Sequence, residues 1–224
     1  MIRYCSTMRV IEAKDPRWRA RWIVALWAIQ PVSIVVEVIV AMFVTAPYSF
    51  VDNTISDLGA ASCTTIAYPS VPVLVCSPAH AVMNGAFVVF GLTVASGAVL
   101  LLMQRRRSRM LALACWLWII SGISTAAAGV VPLDIDLELH ALVSAPAILL
   151  QPIALALHAW VYAQEDRRWF GLVIAACAIA LVAVFFLLRL EVQGGGLLER
   201  LAIWPVLLAL PVLAVHHLRT ARQL

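Results

Sequence analysis

Six stretches of the chain stay apolar for long enough to cross a bilayer, and the segments between them are polar. They run Trp22–Val44, Ala79–Met103, Met110–Val131, Leu139–Ala163, Trp169–Leu188 and Leu198–Leu218. Each reaches the roughly 20 residues that a helix needs to span the hydrocarbon core. None alternates in polarity as the strands of an outer-membrane barrel do. The pattern predicts an all-α fold, a six-transmembrane-helix bundle. Its expected parts are a basic tail (1–21), a six-helix membrane domain (22–218) with a long outer loop (45–78), and a second short tail (219–224). The first stretch is expected to be a retained helix. Its apolar run is too long for the core of a signal peptide, and the small-residue site Val44-Thr45-Ala46 is followed by Pro47.

Composition agrees with this pattern. Of 224 residues, 63% are hydrophobic and 12% charged, whereas soluble domains carry about 25% charged residues. A soluble fold of this size would lack the polar surface to face water. The net charge is +4, but it is not spread as a nucleic-acid surface would be, with continuous basic residues and interleaved aromatics. Membrane lipids are the expected partner, and nucleic acid is not.

The basic residues instead mark topology. Arg3, Arg9, Lys14, Arg17, Arg19 and Arg21 precede the first stretch; Arg105, Arg106, Arg107 and Arg109 follow the second. Arg167 and Arg168 follow the fourth, and Arg219 and Arg222 the sixth. Fourteen of the 16 basic residues therefore fall on one side of a six-span bundle, with Arg189 and Arg200 the exceptions. The positive-inside rule makes that side, and both termini, cytoplasmic. Trp22, Trp116, Trp118, Trp160 and Trp169 lie near the same boundary and are expected to be interfacial anchors.

The opposite side gathers the polar chemistry. The segment Thr45–Pro78 has no helical period, and unstructured loops of that length often act as lids or binding loops. It holds Asp52, Asn53, Ser56 and Asp57, then Cys63 and Cys76. These two cysteines share a loop in the compartment that permits disulfides. Cys5, Cys115 and Cys177 lie in the tail or within spans, so Cys63 and Cys76 are the natural pair. His80 opens the second span with Asn84 one turn on, and Gly91 permits close helix approach near that face. His140 opens the fourth, with Asp136 one turn before it, Ser144 one turn after and Gln151 deeper. Glu37 lies inside the first span, where an ionisable residue is costly and by default a functional candidate. Glu199 and Arg200 begin the last span after Gly194-Gly195-Gly196.

Several chemistries fit this set. His80, His140, Asp57 and Asp136 are the candidate catalytic residues, with Asp136 orienting His140 and His80 exchanging a proton. Glu37, Asn84, Asp134, Glu199 and Arg200 are the candidate ligand-binding residues. Two histidines with carboxylates can also hold zinc, but no H-x-x-x-H spacing or C-x-x-C pair is present. No metal ligands are assigned and no cofactor is indicated. A polar network that only closes the end of the bundle needs the same residues. Transport would need interrupted midplane helices and an internal repeat. Pro31, Pro146, Pro152, Pro205 and Pro211 can kink spans, but no repeat is evident.

Four short motifs carry a resemblance: Ile55-Ser56-Asp57-Leu58-Gly59, Asn84 with Gly91, Gly129 through Asp134 ahead of His140, and Gly196-Leu197-Leu198-Glu199-Arg200. Together they resemble the prokaryotic multi-pass membrane family called domain of unknown function 998, over nearly the whole chain. The resemblance implies a six-helix bundle in a bacterial plasma membrane and assigns no activity. A looser similarity exists to the seven-helix superfamily of alkaline ceramidases and adiponectin-type receptors, which are metal-dependent hydrolases. This chain has six spans and lacks their paired histidines within a carboxy-terminal span; His216 and His217 are adjacent and lie at the cytoplasmic end. The expected function is to bind a lipid or small polar ligand in the outward polar cluster. The alternative is a membrane-embedded enzyme acting on a lipid or isoprenoid, by metal-assisted hydrolysis or acid–base catalysis.

Overall fold

The structure is a computed structural model that describes residues 16–69, 71–104, 108–163, 167–187 and 194–221. Arg3, Arg9, Lys14, Arg105, Arg106, Arg107, Arg189, Arg222 and Cys5 lie outside the described residues. Among the described residues there are seven helices: α1 (Pro16–Ala28), α2 (Val32–Ala41), α3 (His80–Leu102), α4 (Arg109–Val130), α5 (Leu137–Ala163), α6 (Arg167–Leu187) and α7 (Gly195–Ala221). A turn at Ile29–Pro31 joins α1 to α2. Proline has no N–H to give the preceding turn and its ring crowds the carbonyl four residues back, so the helix breaks there.

Among the described residues, five helical segments are long and apolar enough to cross a membrane: Trp18–Ala41, which is α1 and α2 together, His80–Leu102, Arg109–Val130, Leu137–Tyr162 and Gly195–Arg219. Within α6 the apolar stretch Val173–Phe186 is shorter. The all-helical reading therefore holds, and these are the helices of a multi-pass membrane protein. Bundle neighbours follow a ring in which α3 packs on α1, α2 and α4, α5 packs on α4, α6 and α7, and α7 closes on α1.

Small residues set the tightest contact. Gly91 of α3 lies against the backbone of Gly122 and Ala126 on α4, and a Cβ at either glycine would strike the other helix. That is the close approach expected near Gly91, and in lipid such contact replaces the missing hydrophobic force between helices. The core around it is built on Trp27, Trp118, Leu101, Leu155 and Leu210, none of them measurably exposed. Trp118 thus departs from its expected place at the interface: it packs 5.9 Å from Trp27, inside the bundle. Trp22, Trp116 and Trp160 do face outward.

Proline in α5 is accommodated by a neighbour. Pro146 interrupts the hydrogen-bond ladder, and the Ser124 hydroxyl of α4 fills the gap, donating to the Val143 carbonyl and accepting from Ala147 N at 2.9 Å. Buried backbone groups in lipid need such partners.

Between α2 and α3 the chain forms a cap at one end of the bundle. It contains a single 3₁₀ turn (Ser56–Gly59) and two antiparallel strands, β1 (Thr64–Ile66) and β2 (Val73–Val75), with Thr64 opposite Val75. Cys63 precedes β1 and Cys76 follows β2, so the register sets them face to face, and they form a disulfide. The hairpin is a structural element that the polarity pattern of 45–78 did not announce.

Candidate functional site

The cap is held by side chains sent from the helix ends, and most of the polar residues at this end serve that purpose. Arg200, near the start of α7, is 3% exposed and points into the space beneath the cap. Its Nε donates to Glu37 Oε1 of α2 at 2.8 Å, in an ion pair with both side chains buried. Its remaining nitrogens donate to the carbonyls of Phe50 (2.8 Å) and Asn53 (2.7 Å) and to the Tyr48 hydroxyl (2.6 Å). Trp204 Nε1 donates to the second oxygen of Glu37 at 2.9 Å. A buried charge is tolerable only when paired and hydrogen-bonded in this way. Gly196 lies so close to the Asn53 carbonyl that a side chain there would displace the loop.

A second group of contacts fixes the 3₁₀ turn. Glu199 Oε2 accepts the Ile55 amide at 2.6 Å. Asp57 is buried and accepts from the Tyr68 hydroxyl at 2.6 Å, the Thr54 amide at 2.8 Å and Asn53 Nδ2 at 3.3 Å. Burial pushes the Asp57 carboxyl up from the usual range, against the pull of those donors. Burial, and then the neighbouring Asp57 charge, likewise raise the Tyr68 hydroxyl. Ser77 Oγ donates to the Leu58 carbonyl at 2.7 Å, and Asn84 Nδ2 to the Gly59 carbonyl at 2.9 Å. Three side chains outside the turn, Glu199, Ser77 and Asn84, therefore hold its backbone at Ile55, Leu58 and Gly59, and Asp57 within it holds Thr54.

Asp134 anchors the segment that follows, accepting the amides of Ala61 and Ser62 at 2.8 and 2.9 Å and the Ser62 hydroxyl at 2.7 Å. Partial burial opposes its ionisation, but these donors prevail and hold the carboxyl below its usual range. Asp136 accepts the Leu139 amide at 2.9 Å, as a helix N-cap does. His80 Nδ1 lies 3.0 Å from the Ser77 carbonyl.

His140 is oriented by other groups than Asp136. Its Nδ1 lies 2.6 Å from the Val131 carbonyl, and its Nε2 lies 3.0 Å from Ser56 Oγ in the 3₁₀ turn. No hydrogen bond joins His80 to His140 among the described residues. Nor, among them, do three or more His, Cys, Asp or Glu residues converge as a metal would require.

Beneath the cap lies a cavity of about 80 Å³. Its wall includes Ser56, Glu37 and Glu199 next to the cap, and Met83 through Val94 along α3. Those α3 residues span roughly 16 Å at the helical rise, so the cavity is long and narrow. Phe87, Phe90, Ile148, Ile203 and Leu207 make it largely apolar, and Gln30, Thr125 and Gln151 bring polar groups to it from further along the helices. Gln30 is fully buried at the helix break. Its Nε2 donates to Thr93 Oγ1 at 2.8 Å and to the Leu26 and Phe90 carbonyls at 3.2 and 3.4 Å, which fixes the amide's orientation. Its Oε1 has no hydrogen-bond partner among the described residues.

A family model described as "Protein of unknown function (DUF998)" matches residues 17–216. The chain belongs to the DUF998 family. The match covers the five long helices and the cap, so the whole site just described lies within the family domain. No curated protein and no solved structure matches the chain.

Sequence reading placed Glu37, Asp57, Asn84, Asp134, His140, Glu199 and Arg200 at one end of the bundle, and the structure brings all of them to the cap. It did not single out Ser56 as the partner of His140, nor Tyr48, Tyr68 and Trp204. Their partners lie 84, 152, 11 and 167 residues away in the chain. Only the Asp57–Tyr68 pair is close enough for local spacing to have hinted at it. Gln30 could have been found as an amide inside an apolar span.

Proposed function

We propose that this protein is a six-span membrane protein that holds a lipid-like amphiphile in the cavity beneath an outward-facing cap. In this reading α6 is the sixth span, both termini are cytoplasmic, and the cap faces the outer side of the bacterial plasma membrane. The basic residues flanking α1, α4, α6 and α7 support that orientation, as does the disulfide in the cap.

The observation that carries the ligand reading is the shape and chemistry of the cavity. It is narrow and mostly apolar, with polar groups where the cap meets it and deeper at Gln30, Thr125 and Gln151. Ligand sites have this composition, mostly apolar walls with a few placed polar groups. The mostly apolar lining suits an acyl or isoprenoid chain, which would have to widen the cavity of about 80 Å³ to enter, with its polar end beside Ser56 and Glu199. Arg200 and Glu37 support this site by fixing the cap, and their hydrogen bonds are spent on protein groups.

Ala128 lines the cavity and is 6% exposed. Ala128→Leu should fill the space at a cost of about 1–3 kcal/mol in overpacking. Purified wild-type protein should retain an amphiphile through detergent exchange, detected by extraction and mass spectrometry, and Ala128→Leu should lose it. Equal retention by both proteins, or none by the wild type, would reject this reading.

A further inference from the structure

We infer that Ser56 and His140 form a nucleophile–base pair that cleaves a carboxylic ester of the amphiphile, an inference that rests on the ligand reading of the cavity. Three observations converge on it. Val131 offers His140 Nδ1 a carbonyl oxygen, which can only accept, so in the neutral ring Nδ1 carries the hydrogen. The Nε2 lone pair is then left for the Ser56 hydroxyl, 3.0 Å away. A nucleophile in hydrogen-bond reach of a base that a third group orients is the arrangement that activates serine on unrelated folds. Here a backbone carbonyl takes the orienting place usually held by a carboxylate.

Ser56 also lines the cavity, whereas His140 stands behind it. The hydroxyl thus meets the apolar channel, and the base approaches it from the side of α5. Finally, the turn that carries Ser56 is held rigid. Glu199 binds the Ile55 amide, Asp57 binds the Thr54 amide, and Asn84 binds the Gly59 carbonyl. A nucleophile must be held close to its productive geometry for catalysis to gain from position. Glu199, Asp57 and Asn84 are thereby positioning residues.

The reaction has two halves. Ser56 Oγ bonds to the ester carbonyl carbon while its proton passes to His140 Nε2. The carbon–alkoxy bond breaks, and Nε2 returns the proton to the departing alkoxide, releasing an alcohol and leaving an acyl-serine. Water from the outer face then bonds to the same carbon and yields its proton through Nε2 to Ser56 Oγ. A carboxylic acid leaves, and the net change is ester plus water to acid plus alcohol.

A long-chain alkyl fluorophosphonate, which phosphonylates activated serines, tests this with the full chain in detergent micelles. The expected adduct lies on the peptide containing Ser56 and is absent from Ser56→Ala. His140→Gln keeps an amide able to donate to Val131 but removes the base, and should slow labelling by about 10²-fold or more. Both variants should match the wild type in size-exclusion profile. Failure of the wild type to label on Ser56, or equal labelling of His140→Gln, overturns the catalytic inference. If the wild type still retains its amphiphile in that case, the binding reading stands alone; if it does not, both fall.

Discussion

Removing the Arg200 side chain would strip a donor from Glu37, from two loop carbonyls and from the Tyr48 hydroxyl at once. Breaking one partner of a buried ion pair costs about 3–5 kcal/mol, and Arg200→Ala should lose at least that in a denaturant titration followed by tryptophan fluorescence. Glu37→Gln should lose less, because the amide oxygen can still accept from Arg200 Nε. The double variant Glu37→Leu with Arg200→Leu tests the pair against its surroundings. It should stay well below the wild type, since the Phe50 and Asn53 carbonyls remain without their donor; recovery to wild-type stability would show that the ion pair alone mattered. At this scale the sequence was informative about which residues are unusual and silent about whom they touch. A charge inside an apolar run stands out on its own, so Glu37 and Arg200 were visible. Ser56 was not, because a serine in a polar loop is ordinary until a histidine 84 residues away is folded against it. Trp118 misled for a related reason, since a tryptophan near a span end reads as an anchor until Trp27 is found beside it.

Among elements, the segment that leads into the cap hairpin is anchored by one carboxylate, Asp134. Asp134 holds Ala61 and Ser62, and its folded carboxyl titrates below the ordinary value of 3.8. The sign follows from linkage: a lowered folded pKa contributes stability above the unfolded value, and that contribution is lost as pH falls through the folded one. Hydrogen exchange at the Ala61 and Ser62 amides should therefore accelerate as pH drops below about 3.8, once corrected for intrinsic rates. Asp134→Asn should show the faster exchange already at neutral pH; unchanged protection would mean the hairpin is held elsewhere. Asp57 works in the opposite sense. Its raised carboxyl favours the folded state at acid pH and weakens that support as pH rises through the folded value. Helices were the legible elements, because the length of an apolar run is a direct physical requirement of the bilayer. Three-residue strands are too short to display a two-residue period, so the hairpin could not be read from 45–78. The break at Pro31 was readable as a kink, though not as two separate helices.

For the whole molecule, the arrangement of helices around the cavity is what no local pattern encodes. Spans adjacent in sequence do pack together, but α7 also closes against α1, and Arg200 of α7 pairs with Glu37 of α2. The proposed six-span topology predicts a cytoplasmic carboxy terminus. A reporter phosphatase fused after Leu224 should be inactive, and a fluorescent protein fused there should be bright; the reverse pair of results would demand an odd number of crossings. At the other end of the bundle, His158 is fully buried beside Trp27 and Tyr162, with no hydrogen-bond partner at either ring nitrogen among the described residues. Tyr162 in turn bonds His217, which also contacts Gln104. This inner group was not singled out from the sequence, where His158 and Tyr162 sit inside an otherwise apolar run.

The Glu37–Arg200 pair also sets an order of events during synthesis. Its partners are 163 residues apart, and ribosomes add about 5–20 residues per second. Glu37 therefore enters the membrane on the order of ten seconds or more before its cation is made. Throughout that interval the nascent chain carries a carboxylate in an apolar segment and a cap with nothing to dock on. α7 thus completes α2, and a polypeptide stopped short of α7 would keep Glu37 unpaired and the cap undocked.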